Sequence, residues 1–184
     1  MAKELKKIWN FLWKSDSVWS WIVDLILAFI IVKFIFFPLL SLIFASSLPL
    51  VVVESTSMLH VSNFDGFWDD YESFYEDIGI TKEEFSNFPL KNGFDKGDIM
   101  IIKGEKDYKI GEIIVFKIPG QSTPIIHRII KIEDGNYSTK GDHNPYQLSY
   151  EKEIAKSQVV GKAIGKIPYL GWLKLIFVEL FRAF

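Results

Sequence analysis

The feature that most limits what this chain can fold into is a long apolar run at residues 22–45, in which only Asp24 and Lys33 are charged. At about 1.5 Å per residue it would make a helix of about 36 Å, enough to cross a hydrocarbon core of about 30 Å. A transmembrane anchor is therefore predicted over residues 22–46. The 49% hydrophobic content of the 184-residue chain, high for a soluble domain of this size, agrees with a membrane contribution. A cleavable signal peptide is the competing reading, because Ala45-Ser46-Ser47 resembles a small-residue cleavage site. A strand pattern begins at once after that point, so a retained anchor is expected. Asp24 can reach headgroups from its end of the run. Lys33 lies deeper, where charge is costly, and is expected to snorkel or to meet a partner helix. Pro38 is expected to kink the last turns or leave them irregular.

Residues 1–21 read as a cytoplasmic basic and aromatic lead-in. Lys3, Lys6, Lys7 and Lys14 outweigh Glu4 and Asp16, and Trp9, Trp13, Trp19 and Trp21 are interleaved. No Lys or Arg stands between Phe34 and Thr81. Cationic residues favour the cytoplasmic side, so the N terminus is expected inside and the chain from about residue 50 outside.

Beyond the anchor, two patterns alternate. Residues 50–54 read as a short, buried strand. From residue 60 to 96, Phe64, Phe67, Trp68, Tyr71, Phe74, Tyr75, Phe85 and Phe88 recur at spacings of three and four, which suits amphipathic helices. Thr81 with Glu84 fits a capping box. Nine acids and one lysine between Glu54 and Glu84 make this an acidic, aromatic helical insertion, covering the domain or facing the membrane. From Gly97 onward, β-branched runs at 98–103, 113–118 and 125–132 are separated by Gly, Asp and Pro-Gly turns, with weaker strands at 136–139 and 159–164. A mainly β catalytic domain, a folded sheet or partial barrel, is expected from residues 47–59 and 97–166. Residues 167–184 are apolar again, but a helix from 172 to 184 would reach only about 20 Å, so an interfacial C-terminal helix is expected.

Absence of cysteine removes thiolate nucleophiles and disulfides, and a net charge of −2 does not favour nucleic acid. Serine needs a base to take its proton. Ser55 and Ser57 follow the first strand; His60, His127 and His143 are the histidine bases to weigh, and Lys103 or Lys117 would serve a Ser–Lys dyad. Spacing alone does not join Ser57, His127 and Asp142, because a triad is a matter of geometry. A zinc site from the three histidines is the other chemistry available, though no two of them sit one helical turn apart. No metal or other cofactor is expected.

An ordered set of blocks gives the chain a family resemblance: the anchor, Ser55-Thr56-Ser57-Met58, Lys96-Gly97-Asp98-Ile99, Pro124-Ile125-Ile126-His127-Arg128, Lys140-Gly141-Asp142-His143-Asn144, and Val159-Val160-Gly161 leading to Ile167-Pro168-Tyr169-Leu170-Gly171. The chain resembles a type I signal peptidase of the archaeal and endoplasmic-reticulum branch, the Ser-His type. The resemblance implies a membrane-bound serine endopeptidase with a β-rich core that removes signal peptides from secreted and membrane preproteins. It implies Ser57 as nucleophile, His127 as general base and Asp142 as orienting acid, with Asp98 a weaker acid candidate. The Ser57 N–H, with Ser55 as a weaker contributor, would form the oxyanion hole. Implied partners are preproteins, the lipid bilayer and protein translocation machinery. The implied location is the cell membrane, with the catalytic domain on the extracytoplasmic side. Thr56 stands where the family usually has Gly, His60 where Pro is common, and Leu148 where many relatives carry a second Asp. The insertion is also longer than the usual connection. The reading from a different class is a catalytically inactive, membrane-anchored β module that binds export machinery.

Overall fold

The computed structural model describes residues 17–182 together with Lys3, Glu4, Lys6, Trp9, Asn10 and Trp13. Lys7, Lys14 and Asp16 of the lead-in lie outside the described residues. The chain divides into two units, Met1–Ile43 and Phe44–Phe184.

The first unit is built on one helix, α1 (Val18–Ile43), long and apolar enough to cross a membrane. Ser17 caps it, its side chain accepting from Trp19 N at 3.2 Å. The helix is regular over Val18–Ile31, widens to a π-helix over Val32–Phe36, and is α-helical again over Phe37–Ile43. Pro38 explains the irregularity that its sequence position predicts. Its ring crowds the carbonyl four residues earlier and brings no N–H, and a wider turn just before it relieves both defects. Lys33 Nζ lies over the rings of Phe29 and Phe34, at 5.5 and 5.4 Å.

The second unit is a six-stranded antiparallel sheet with helices at its margins. Its strands are β1 (Leu50–Val52), β2 (Ile99–Lys103), β3 (Ile113–Phe116), β4 (Ile125–Glu133), β5 (Asn136–Lys140) and β6 (Val159–Ile167). They run in the order β1-β2-β6-β3-β4-β5. Three strands separate β1 from β4 in that order, yet Val51, Val52 and Val53 line the same groove as Ile125, Ile126 and His127. The sheet must therefore curl on itself, which twisted antiparallel sheets do readily. Val53, Met58, Met100, Ile102, Ile113, Val115, Ile126 and Ala163 fill the concave side.

The insertion forms α2 (Phe64–Asp77) and α3 (Lys82–Ser86). The capping box at α3 is made in both directions: Glu84 N donates to Thr81 Oγ1 at 3.2 Å, and Thr81 N to Glu84 Oε2 at 3.0 Å. The aromatic stripe does not face outward. Phe67, Trp68, Tyr75, Ile80 and Phe85 pack together with Ile130 of β4. On the strand's other side Ile129 joins Tyr108, Ile114, Phe116 and Tyr137. Over residues 126–130 both faces of β4 are covered and burial does not alternate, whereas Lys131, Ile132 and Glu133 are exposed. The chain closes with α4 (Trp172–Arg182), whose Leu173, Ile176, Phe177 and Leu180 are exposed.

Candidate active site

Ser57 leaves the end of β1 in a turn that places Met58 in the core and leaves the hydroxyl at the groove. His127 sits in β4, paired across the sheet with Ile114 of β3. The curl brings the two together: Ser57 Oγ and His127 Nε2 are 2.9 Å apart. Ser55 Oγ lies 3.1 Å from Ser57 Oγ.

Behind the imidazole stands Glu151. Its Oε1 meets His127 Nδ1, and its Oε2 accepts from Leu148 N at 2.7 Å. The carboxylate is fully buried and comes from a 3₁₀ turn, Ser149–Glu151. Gln147 ties that turn to β5, donating to Thr139 O at 2.9 Å and to Glu151 O at 3.2 Å. A carboxylate at Nδ1 holds the proton there, so Nε2 presents a lone pair to the serine hydroxyl.

Asp142, expected from the resemblance to orient His127, is engaged elsewhere. Arg128 grips it with two donors, Nε to Oδ1 at 2.9 Å and Nη2 to Oδ2 at 2.7 Å. Tyr75 donates to Oδ1 at 3.2 Å, and His60 Nε2 approaches Oδ2 at 3.1 Å. The reason is directional: His127 and Arg128 are successive strand residues and point to opposite faces. Asp142 lies on the Arg128 side. Burial pushes the Asp142 carboxyl up, but the Arg128 charge and the His60 hydrogen bond outweigh it and hold the group well below the usual carboxylate range. Asp98, the weaker acid candidate, accepts from Asp95 N and Tyr169 N, each at 3.2 Å, and pairs with Lys166 at 3.3 Å. It pins the start of β2 to the loop after β6 and makes no bond to His127 among the described residues.

The remaining histidines and Lys103 also have defined places. His60 stacks on Phe67 at 3.6 Å, and His143 Nδ1 lies 3.1 Å from Tyr71 Oη. Lys103 pairs with Glu105 at 3.1 Å. No lysine ammonium bonds to Ser57 among the described residues. Lys140 is fully buried, donating to the carbonyls of Gly141 and Asp142, both at 3.1 Å. Burial pushes its ammonium down to about 8 even though Asp142 and Glu151 lie nearby. A free lysine titrates at about 10.4, so between those values the unfolded chain holds the extra proton and stability rises with pH. From about pH 7 to about pH 10, wild type is expected to gain roughly 2–3 kcal/mol on Lys140→Met in thermal or urea unfolding. A stability gap that stays constant with pH would refute this.

Gly141 explains how closely the turn after β5 approaches Ser57 and His127. A Cβ there would lie 2.9 Å from His127 Nε2, 2.9 Å from Ser57 O and 2.6 Å from Asn144 Nδ2. Gly141→Ala is therefore expected to push Ser57 and His127 apart and to cost on the order of 10²-fold in kcat. A steady-state measurement showing less than a threefold loss would contradict the packing argument.

The groove at Ser57 has a volume of about 410 Å³ and is bounded by Val51, Val53, Glu54, Ile126, Leu148 and Tyr150. A larger groove of about 760 Å³, between Phe74, Ile80, Phe88 and Ile130, contains neither Ser57 nor His127. The smaller one is where the Ser57 hydroxyl meets the His127 imidazole, with Glu151 buried behind the ring. Glu151 escaped the sequence reading because nothing periodic marks it. The one available signal was its place three residues after Leu148, since a 3₁₀ turn returns residue i+3 to the position of residue i.

A hydroxyl, an imidazole and a buried carboxylate in line at a groove are the parts of a hydrolase that works through a covalent intermediate. Comparison with known proteins agrees in kind. The chain is 35% identical over 99 residues to the human signal peptidase complex catalytic subunit SEC11C, covering 47% of this chain and 52% of the relative. It is 34% identical over 94 residues to the Dictyostelium discoideum subunit sec11, covering 45% and 52%. With the Leptosphaeria maculans subunit SEC11 it shares 29% over 102 residues, covering 49% and 59%. No family model matches the chain. Over about half its length the chain is thus similar to catalytic subunits of the signal peptidase complex, and it spans about half the length of the curated relatives it matches.

Proposed function

We propose that this chain is a membrane-bound serine endopeptidase that cleaves N-terminal signal peptides from exported preproteins. The observation that carries the reading is the 2.9 Å contact of Ser57 Oγ with His127 Nε2, backed by Glu151 at Nδ1. In this mechanism His127 takes the serine proton as Oγ attacks the scissile carbonyl. Glu151 stabilises the resulting imidazolium. The Ser57 N–H makes no hydrogen bond among the described residues and is available to the developing oxyanion, with the neighbouring Ser55 hydroxyl as a second donor. His127 then returns the proton to the leaving amine, and water hydrolyses the acyl-enzyme by the same route in reverse.

Substrate geometry follows from the sheet. β1 is an edge strand, paired only with β2 among the described residues. An extended peptide can add beside it and run through the groove past Ser57. Membrane placement rests on the apolar length of α1 and on the lysines that precede it, which favour an N-in orientation and an extracytoplasmic catalytic domain. The exposed apolar side chains of α4 suit an interfacial helix. Preproteins, the bilayer and translocation machinery are the partners this reading entails.

The test is cleavage of a preprotein by the full chain in liposomes, with a fluorophosphonate probe for the nucleophile. Release of the signal peptide together with covalent labelling at Ser57 supports the proposal. An intact preprotein and no labelling would favour the non-catalytic module.

A further inference from the structure

The insertion lines neither the triad nor the groove, yet its side chains bond directly to residues 140–144. We propose that α2 is a positioning clamp for residues 140–144, with Tyr71 and Tyr75 as positioning residues; this rests on the reading of Ser57 and His127 as the catalytic pair. Tyr71, Phe74 and Tyr75 follow each other at helical spacings of three and four and so share one face of α2. Their rings surround Lys140 Nζ at 4.9, 4.8 and 5.3 Å. Ring faces attract an ammonium placed among them. Its hydrogen bonds to the Gly141 and Asp142 carbonyls carry that hold into the loop. The hydroxyls of the same helix face grip the next two residues. Tyr75 donates to Asp142 Oδ1 at 3.2 Å, and Tyr71 to His143 O at 2.9 Å.

What the loop does for the site makes this grip consequential. His143 N donates to Ser57 O at 2.8 Å, and Gly141 abuts both His127 Nε2 and Ser57 O. Any outward movement of residues 140–144 therefore moves the nucleophile relative to its base. The clamp is itself anchored. Phe67, Trp68 and Phe85 bury α2 and α3 against Ile130, and the Arg128 guanidinium lies 4.7 Å from the Phe85 ring. A single rigid path thus runs from the aromatic cluster of the insertion to the serine carbonyl, and the length of the insertion is explained by it.

Tyr71→Phe tests the clamp, because it keeps the ring over Lys140 and removes only the hydroxyl from a half-buried position. Expected are a 5- to 20-fold lower kcat on preprotein with KM within twofold. The rate of Ser57 labelling by a fluorophosphonate should fall by a similar factor, and hydrogen exchange at the His143 amide should accelerate at least fivefold. Tyr75→Phe should act in the same direction. If either variant is poorly folded, the other stands, and the exchange measurement does not depend on activity. Wild-type kcat, labelling and exchange in both variants would overturn the clamp alone. A raised KM at unchanged kcat would also overturn it, since that is the signature of substrate contact. A wild-type chain that neither cleaves nor labels would overturn the catalytic reading and the clamp with it.

Discussion

Glu151→Gln is expected to lower kcat by about four orders of magnitude while leaving the fold intact. The size of the effect follows from how the carboxylate is used. Oε2 accepts from Leu148 N at 2.7 Å, and Oε1 faces His127 Nδ1. A glutamine must keep its oxygen on the Leu148 N–H, so its amide NH₂ turns to the imidazole. An NH₂ at Nδ1 forces the ring proton onto Nε2. In that tautomer Nε2 cannot accept from the Ser57 hydroxyl, and the base is lost without any change in shape. Ser57→Ala removes the nucleophile itself and is expected to cost up to about six orders of magnitude, leaving only what binding and the oxyanion donors supply. Steady-state cleavage of a preprotein peptide, with thermal unfolding as a check on the fold, measures both. Retention of more than a tenth of wild-type kcat by Glu151→Gln would remove Glu151 from the mechanism.

Asp142→Asn is expected to do the opposite, costing about 3–5 kcal/mol of stability and on the order of 10 °C in melting temperature. Arg128 has every guanidinium N–H engaged, on Asp142, on Pro89 O at 2.9 Å, on Gly111 O at 2.8 Å and on Leu90 O at 3.2 Å. Both side chains are completely buried. An asparagine leaves the guanidinium charge uncompensated in a medium where isolated charge is costly. The acid response has the same origin. Because the folded Asp142 carboxyl is held far below the usual range, its contribution is fully present above about pH 4 and is lost as pH falls further. Urea unfolding at neutral and acidic pH reads out both effects. If Asp142→Asn kept wild-type stability but lost kcat as Glu151→Gln is expected to, the two acids would have to exchange roles.

The contrast between these carboxylates shows where sequence reasoning stops. Asp142 stands in a Gly-Asp turn next to a histidine and carries the family resemblance, so it attracts the assignment. Glu151 stands among loop residues with no periodic pattern. Acid, base and nucleophile join only through side-chain direction, and direction on β4 changes with every residue. His127 faces the serine and Arg128 faces the insertion, so the Gly-Asp acid serves arginine and the imidazole takes its partner from the 3₁₀ turn. Leu148, which departs from the family pattern, is the residue whose N–H that glutamate binds.

Much else was legible in the chain because it depends on local physics. Apolar length set the candidate anchor, Pro38 marked its irregular turn, and the box formed by Thr81 and Glu84 opened a helix. β-Branched runs between turn residues became the strands of one sheet. Ser57 and His127 could be nominated by residue type and motif, and an insertion with aromatic residues at helical spacing could be read as helical. Tertiary structure alone decided which way that stripe faces, that it cages Lys140, and which carboxylate completes the line behind His127. Those outcomes depend on the curl of a sheet whose strands pair far out of sequence order, and on contacts between segments from 24 residues apart, for His127 and Glu151, to 70, for Ser57 and His127. Such contacts leave no periodic trace in the chain, because they are set by geometry summed over the whole domain rather than by the preferences of neighbouring residues.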